Sequence, residues 1–321
     1  MARLDLARSP DSMELIRGLH NLRPRHRGCV ATIGAFDGVH YGHRAVLQHV
    51  LEKARALDLP TAVVVFEPLP REYLAPREAP PRLMSFREKL EAFAAIGIDR
   101  VLRVRFDEAL RSMAAVDFVR RIFVDGLGVR HVVMGDDLRF GRDREGGFEL
   151  MQAQGREHGF DVMPTDTLDV SGERVSSTRI REALAVADFA LAEQLLGRPY
   201  SMSGKVVYGD QRGRTIGVPT ANLELHRLRS PLSGVYVVEV AGASEGLVPG
   251  VANVGVRPTI GDEFRANLEV NLLGWNQELY GRRLVVTFRE KIRDEMKFDS
   301  LDALKTQIHK DIAYGRQFFQ L

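Results

Sequence analysis

Val30-Ala31-Thr32-Ile33-Gly34-Ala35-Phe36-Asp37-Gly38-Val39-His40-Tyr41-Gly42-His43 opens on a nearly continuous apolar run, crosses three glycines and closes on two histidines three residues apart. Downstream, Leu47, Val50, Leu51, Ala54 and Leu57 keep the three-and-four spacing of an amphipathic helix, which Asp58 and Pro60 break before a second β-rich run at Thr61–Phe66. A strand, a glycine-rich turn, a helix and a second strand make Val30–Phe66 a βαβ unit, and a βαβ unit implies a parallel sheet.

The same alternation continues outward. Val30–Ala35, Thr61–Phe66, Val101–Arg105 and His131–Gly135 are apolar enough to be strands buried on both faces. Ser85–Gly97, Val116–Gly126, Gly147–Gly159, Thr178–Ala187 and Asp188–Leu196 carry helical periodicity, and Ser176-Ser177-Thr178 supplies side chains suited to an N-cap. The first half is therefore expected to be α/β, a Rossmann-like domain built on a parallel sheet.

Gly197-Arg198-Pro199-Tyr200 breaks the helical pattern, and strand follows strand afterwards: Ser203–Tyr208, Gly234–Ala241, Leu247–Val254, Ala266–Leu273 and Leu284–Arg289. Short strands joined by Gly- and Pro-containing turns point to an antiparallel β-barrel, with a terminal helix presenting Leu301, Leu304, Ile308 and Ile312 on one face. Two domains are expected, 1–197 and 198–321, as a length of 321 residues also suggests.

Composition excludes more than it identifies. With 45% hydrophobic and 27% charged residues the chain has material for real cores, and 45 Lys+Arg against 43 Asp+Glu leave none of the basic surplus of a nucleic-acid binder. A single cysteine, Cys29, allows no intrachain disulfide and no thiolate metal cluster; beside Val30–Ile33 it reads as a small buried hydrophobe. No signal-peptide core and no run of 18 apolar residues occur, so a cytoplasmic protein without membrane or nucleic-acid partners is expected. The sequence leaves the oligomeric state open.

The opening loop leaves a buried strand and enters a helix, where unpaired backbone N–H groups favour phosphate. Gly34, Gly38 and Gly42 permit close approach and positive φ, and His40 and His43 can project from one side of the first helical turn. Two imidazoles donating to phosphoryl oxygens would stabilise charge growing at a phosphate under attack. A bare HxxH spacing by itself favours satisfied surface histidines beside a glycine-rich turn; the strand, three glycines and helix around this one reverse that and favour the phosphate site. In the second half, Gly213-Arg214-Thr215-Ile216-Gly217-Val218-Pro219-Thr220-Ala221-Asn222 is a glycine-punctuated loop in which Thr220 and Asn222, two apart, could offer a hydroxyl and an amide oxygen to one Mg²⁺.

The opening loop resembles the HxGH signature of the nucleotidyltransferase superfamily, and its longer form resembles the adenylyltransferase domain of the bacterial bifunctional riboflavin kinase/FAD synthetases. Phe66-Glu67-Pro68-Leu69-Pro70, Gly135-Asp136-Asp137-Leu138-Arg139-Phe140-Gly141 and Ser176-Ser177-Thr178-Arg179-Ile180-Arg181 match that family in order, with Leu69 and Leu138 departing from its usual polar and aromatic residues. The Pro219–Asn222 stretch is similar to the PTAN signature of riboflavin kinases, and the match runs through Gly234-Val235-Tyr236, Asn253-Val254-Gly255, Glu269-Val270, Leu279-Tyr280-Gly281 and Ile292-Arg293, with Asn271 and Gly274 departing from the expected His and Asp.

The resemblance implies ATP- and Mg²⁺-dependent phosphorylation of riboflavin to FMN, then adenylyl transfer from ATP to FMN, giving FAD and pyrophosphate. It implies nucleotide or flavin contacts by Gly34, Phe36, Asp37, Gly38, Asp137, Ser177, Thr178, Arg179, Gly213, Gly217, Thr220, Asn222 and Arg293, charge stabilisation by His40 and His43, and a base at Glu269. The nucleophile of the second reaction, the phosphate of FMN, needs no strong base; the ribityl hydroxyl of riboflavin benefits from one. A nucleotidyltransferase whose barrel only binds flavin, and a translation-related RNA binder, are the rival readings; the balanced charge opposes the latter.

Overall fold

The computed structural model describes residues 13–165, 169–170, 172–209, 218–258 and 264–321. By internal packing it divides into two compact units, Met1–Pro80 with Phe86–Val175, and Pro81–Ser85 with Ser176–Leu321. The division thus falls ahead of the two helices that precede Gly197, and the short segment Pro81–Ser85 packs with the second unit.

The first unit holds strands β1 (Glu14–Arg17), β2 (Val30–Ile33), β3 (Thr61–Glu67), β4 (Arg100–Arg105), β5 (His131–Gly135) and β6 (Asp161–Thr165). They form one sheet in the order β1-β4-β3-β2-β5-β6, every pair parallel. Its helices are α1 (Tyr41–Leu57), α2 (Pro70–Leu74), α3 (Phe86–Ile96), α4 (Glu108–Arg111), α5 (Ala115–Val119) and α6 (Phe148–His158), and two short strands, β7 (Asp169–Val170) and β8 (Glu173–Arg174), pair antiparallel. β2 is buried throughout, as expected of a central strand, and Ala31, Ile33, Ala62, Val64, Leu102 and Val132 share one core with Phe118, Ile122 and Phe123. The expected helix Val116–Gly126 is not continuous: α5 gives way to a π turn over Arg120–Val124.

The chain runs from β2 to β3 and β4 on one side, then returns to β5 on the other side of β2. The carboxyl ends of β2 and β5 therefore flank the switch point, where open α/β sheets bind ligands. Both the histidine loop and the Gly135–Gly141 motif leave the sheet there.

In the second unit, α7 (Ser177–Ala185) and α8 (Phe189–Leu196) precede β9 (Ser201–Val207), β10 (Ala221–Glu224), β11 (Gly234–Ala241), β12 (Val248–Pro258), β13 (Phe264–Leu272) and β14 (Arg283–Arg293). The six strands close a barrel in the order β10-β13-β12-β11-β14-β9, the antiparallel β9–β10 pair sealing it. The terminal helix α9 (Leu301–Phe319) docks differently from the expected stripe. Leu301 is 71% exposed, and contact is made by Ile312 and Phe319 on Val235, Val251 and Leu273. Gly315 lets the helix approach closely, since a Cβ there would meet Val251 at 2.6 Å. Among the described residues no helix is long and apolar enough to cross a membrane.

Candidate functional site

The turn from β2 to α1 is tighter than its glycines alone suggest. Gly38 adopts positive φ as expected, but the other left-handed residues are Phe36 (φ 46°) and Val39 (φ 42°), while Gly34 and Gly42 do not. Those two glycines are needed for space: a Cβ on Gly34 would lie 3.1 Å from the Phe36 ring, and one on Gly42 would lie 3.3 Å from the His40 ring. A β-branched residue in this region is strained and must be held by its surroundings; Val39 is fully buried. Phe36, 2% exposed, packs edge-on against Phe93 of α3 at 5.5 Å, and Asp37 is likewise buried.

His40 is the N-cap of α1, its Nδ1 accepting from the His43 backbone N–H at 3.3 Å. A neutral His40 using Nδ1 as acceptor carries its hydrogen on Nε2, the donor that a phosphoryl oxygen requires. The two imidazoles stack with centroids 3.6 Å apart. Burial first, then the neighbouring His40 and Lys89, hold the pKa of His43 well below the usual 6.5, so His43 is a neutral donor at physiological pH. Its Nδ1 is buried with no hydrogen-bond partner among the described residues. Lys89, 1% exposed on α3, donates to the Ala35 carbonyl at 2.6 Å. Sequence reading passed over it, although a lysine four residues before Phe93, on the buried stripe of a helix, was the available signal.

Beyond β5, Asp137 is exposed and pairs with Arg174 of β8 at 2.6 Å. Leu138, where the family pattern has an aromatic, packs on the core of the unit. Ser177, Thr178 and Arg179 open α7 as expected, and the cap itself is Ser176, whose Oγ accepts from the Arg179 N–H at 3.2 Å. The Arg181 Nε donates instead to the Pro81 carbonyl at 2.6 Å, tying down the Pro81–Ser85 segment that Tyr200 and Arg227 also bind through Leu83.

In the barrel, Asn222 of β10 and Glu269 of β13 are directly paired across strands, and Glu269 is paired in turn with Asn253 of β12. Paired residues point to the same face, so an amide, a carboxylate and a second amide form one row. Asn267 Nδ2 donates to Glu269 Oε1 at 2.9 Å, orienting the half-buried carboxylate. Thr220 and Asn222 line a cavity of about 230 Å³ with Trp275, Leu279 and Tyr280. Tyr280 stacks on Tyr208 at 4.0 Å. Asn271 donates to the Pro219 carbonyl at 2.8 Å, so it fixes the backbone immediately ahead of Thr220. Arg293 is turned to α9, where its guanidinium makes a bidentate pair with buried Asp311, the shortest contact 2.8 Å. Gly213 and Gly217 lie outside the described residues.

A hydroxyl and an amide oxygen suit a hard cation that takes oxygen ligands. Among the described residues no group of three or more His, Cys, Asp and Glu side chains is placed to hold a metal ion.

A parallel sheet with paired histidines at its switch point, and a closed barrel with a polar cavity lined by Thr220 and Asn222, define a two-module protein with a candidate site in each module. Comparison with known proteins agrees. The FAD synthetase family model matches residues 22–179 and the riboflavin kinase model residues 196–319. A bifunctional riboflavin kinase/FMN adenylyltransferase of Pseudomonas fluorescens is 53% identical over 304 residues, covering 95% of this chain and 97% of the relative, and that of Escherichia coli K12 is 51% identical over 310 residues, covering 96% and 99%. A crystal structure described as a macrolide-efflux protein from Streptococcus pneumoniae superposes with a TM-score of 0.74 at 30% identity, over 95% of this chain and 99% of that one. The chain belongs to the bifunctional riboflavin kinase/FMN adenylyltransferase family.

Proposed function

We propose that the chain makes FAD in two steps, phosphorylating riboflavin to FMN in the barrel module (198–321) and adenylylating FMN in the sheet module (1–197). What carries this reading is that each unit has its own polar constellation: stacked His40 and His43 at the switch point of one, and the Asn222–Glu269 row in the other. In the first step the ribityl hydroxyl oxygen attacks the γ-phosphorus of ATP, the bond to the β-phosphate oxygen breaks and ADP leaves. Glu269, held by Asn267, accepts the hydroxyl proton. Thr220 and Asn222 hold Mg²⁺, which screens phosphate charge when bound. Asn271 keeps their segment in place through Pro219.

In the second step a phosphate oxygen of FMN attacks the α-phosphorus of ATP and pyrophosphate leaves; no proton has to be removed. His43, held neutral by its burial, and His40 donate to the α-phosphoryl oxygens and stabilise the charge on them. Gly34, Phe36, Asp37 and Gly38 shape that loop, Asp137 positions the segment after β5, and Ser177, Thr178 and Arg179 bind the outgoing phosphates at the start of α7. Arg293, expected to contact nucleotide or flavin, is held by its pair with Asp311 in the second unit. The enzyme acts in the cytoplasm on small molecules, with neither nucleic acid nor membrane as a partner.

The test uses the full chain with riboflavin, ATP and Mg²⁺, separating FMN from FAD by chromatography. Glu269→Gln should lower FMN formation by about 10²-fold or more while sparing conversion of supplied FMN to FAD. Replacing His40 and His43 together by Ala should do the reverse. Loss of both activities in either variant, with the fold intact, would overturn the division of labour.

A further inference from the structure

Among the described residues, the buried cation Lys89 has no part in the reaction scheme above. Lys89 is 1% exposed, on the inner face of α3. Burying an ammonium costs several kcal/mol unless its hydrogen bonds and charge are used, and a methionine or leucine would fill the same space without that cost. Lys89 Nζ donates to the Ala35 carbonyl at 2.6 Å, within the turn that carries both histidines. One helical turn on, Phe93 packs against Phe36. Helix α3 therefore holds two adjacent residues of that turn, Ala35 by a charged hydrogen bond and Phe36 by an aromatic contact. The turn needs holding, because Phe36 and Val39 are in the left-handed region without being glycine.

We propose that Lys89 is a positioning residue for adenylyl transfer: its ammonium latches the Ala35 carbonyl, fixes the strained turn, and sets the charge felt by the histidine pair above it. The proposal rests on the reading of this turn as the adenylyl-transfer site. Behind burial, the larger cause, His40 and the positive charge of Lys89 both oppose protonation of His43. Removing that charge lets His43 take up a proton at higher pH, which converts a neutral donor with a defined tautomer into a cation that the buried site disfavours.

The experiment compares wild type, Lys89→Met, Lys89→Arg and His43→Ala as full-length proteins. It measures kcat and KM for FAD formation from supplied FMN between pH 5 and 9, with riboflavin phosphorylation and far-UV circular dichroism in the same samples as controls of fold. For Lys89→Met the expected result is a kcat lowered by about tenfold or more, KM for ATP changed by less than about threefold, and the acidic limb of the profile displaced upward by about half a pH unit. Lys89→Arg, which keeps the charge, should lie within about fivefold of wild type with its acidic limb in place. A Lys89→Met enzyme with wild-type kcat and limb overturns the proposal, as does a Lys89→Arg enzyme impaired like Lys89→Met. If Lys89→Met does not fold, the Arg variant decides alone by the same criterion. Unimpaired FAD formation by His43→Ala, by contrast, would sink the reading of the site rather than the role of Lys89.

Discussion

His40 caps α1, its Nδ1 accepting from the His43 backbone N–H, and the proposed adenylyl transfer gives it a second role as a donor to phosphate. The two roles separate by substitution. Asparagine is a good N-cap but cannot reach as an imidazole does, so His40→Asn should hold thermal stability within roughly 0.5 kcal/mol of wild type while FAD formation falls about 10²-fold. His40→Ala should lose the same activity and about 1 kcal/mol besides, since the cap goes too. Melting curves and FMN-to-FAD turnover on the two variants check this; equal stability would mean that the cap contributes nothing. Asn271 supports its site at one remove. Its amide holds the Pro219 carbonyl, so Asn271→Ala should loosen Thr220 and raise the KM for ATP in riboflavin phosphorylation about fivefold, the equivalent of one net hydrogen bond, with kcat little changed.

At the scale of elements, what could be read in advance depended on how many faces an element buries. β2, β3 and β5 are covered on both faces, and their continuous apolar runs declared them. β1 and β6 are edge strands with part-exposed residues, Pro164 among them in β6, and β10 is only four residues long, so none showed a readable period. The histidine pair was legible because its spacing is local. The Asn222–Glu269 pairing was not, because it is fixed by the register of strands far apart in sequence, and Lys89 was passed over because a lysine in a helix ordinarily faces water. Helix α9 shows the same limit: its regular leucine and isoleucine spacing suggested one stripe, whereas packing selected Ile312, Gly315 and Phe319 and buried Asp311. That docking makes Arg293 an anchor. Arg293→Met leaves Asp311 buried without its guanidinium partner and should cost about 3–5 kcal/mol in urea unfolding of the second unit, with KM for ATP unchanged under native conditions. A raised KM at unchanged stability would instead place Arg293 on the nucleotide.

For the whole molecule, the two units should respond differently to acid, because His43 and His131, whose proton affinity burial lowers, are in the first. Burial is the leading cause for His43 and for His131 alike, with His40 and Lys89 adding to it at the former and Lys53 at the latter, and both pKa values are lowered from 6.5. A group that binds its proton less readily when folded contributes its full stability above the unfolded pKa and loses it as pH falls below that value. Between pH 6.5 and the depressed folded values, each such histidine withdraws up to about 1.4 kcal/mol per pH unit from the first unit. On the alkaline side the signs reverse. Burial raises Cys29, in the first unit, from 9.0 to about 12, and Tyr236, in the second, from 10.0 to about 12, so both units weaken once the unfolded chain can ionise these groups and the folded chain cannot. Heating the enzyme at pH 5.5 and assaying what survives should therefore show FMN adenylylation lost at a lower temperature than riboflavin phosphorylation. The gap should narrow at pH 7.5, where neither histidine takes up a proton on unfolding, and His131→Gln should narrow it at pH 5.5 as well. A gap that is the same at both pH values would mean that these buried histidines do not govern the acid stability of the sheet module.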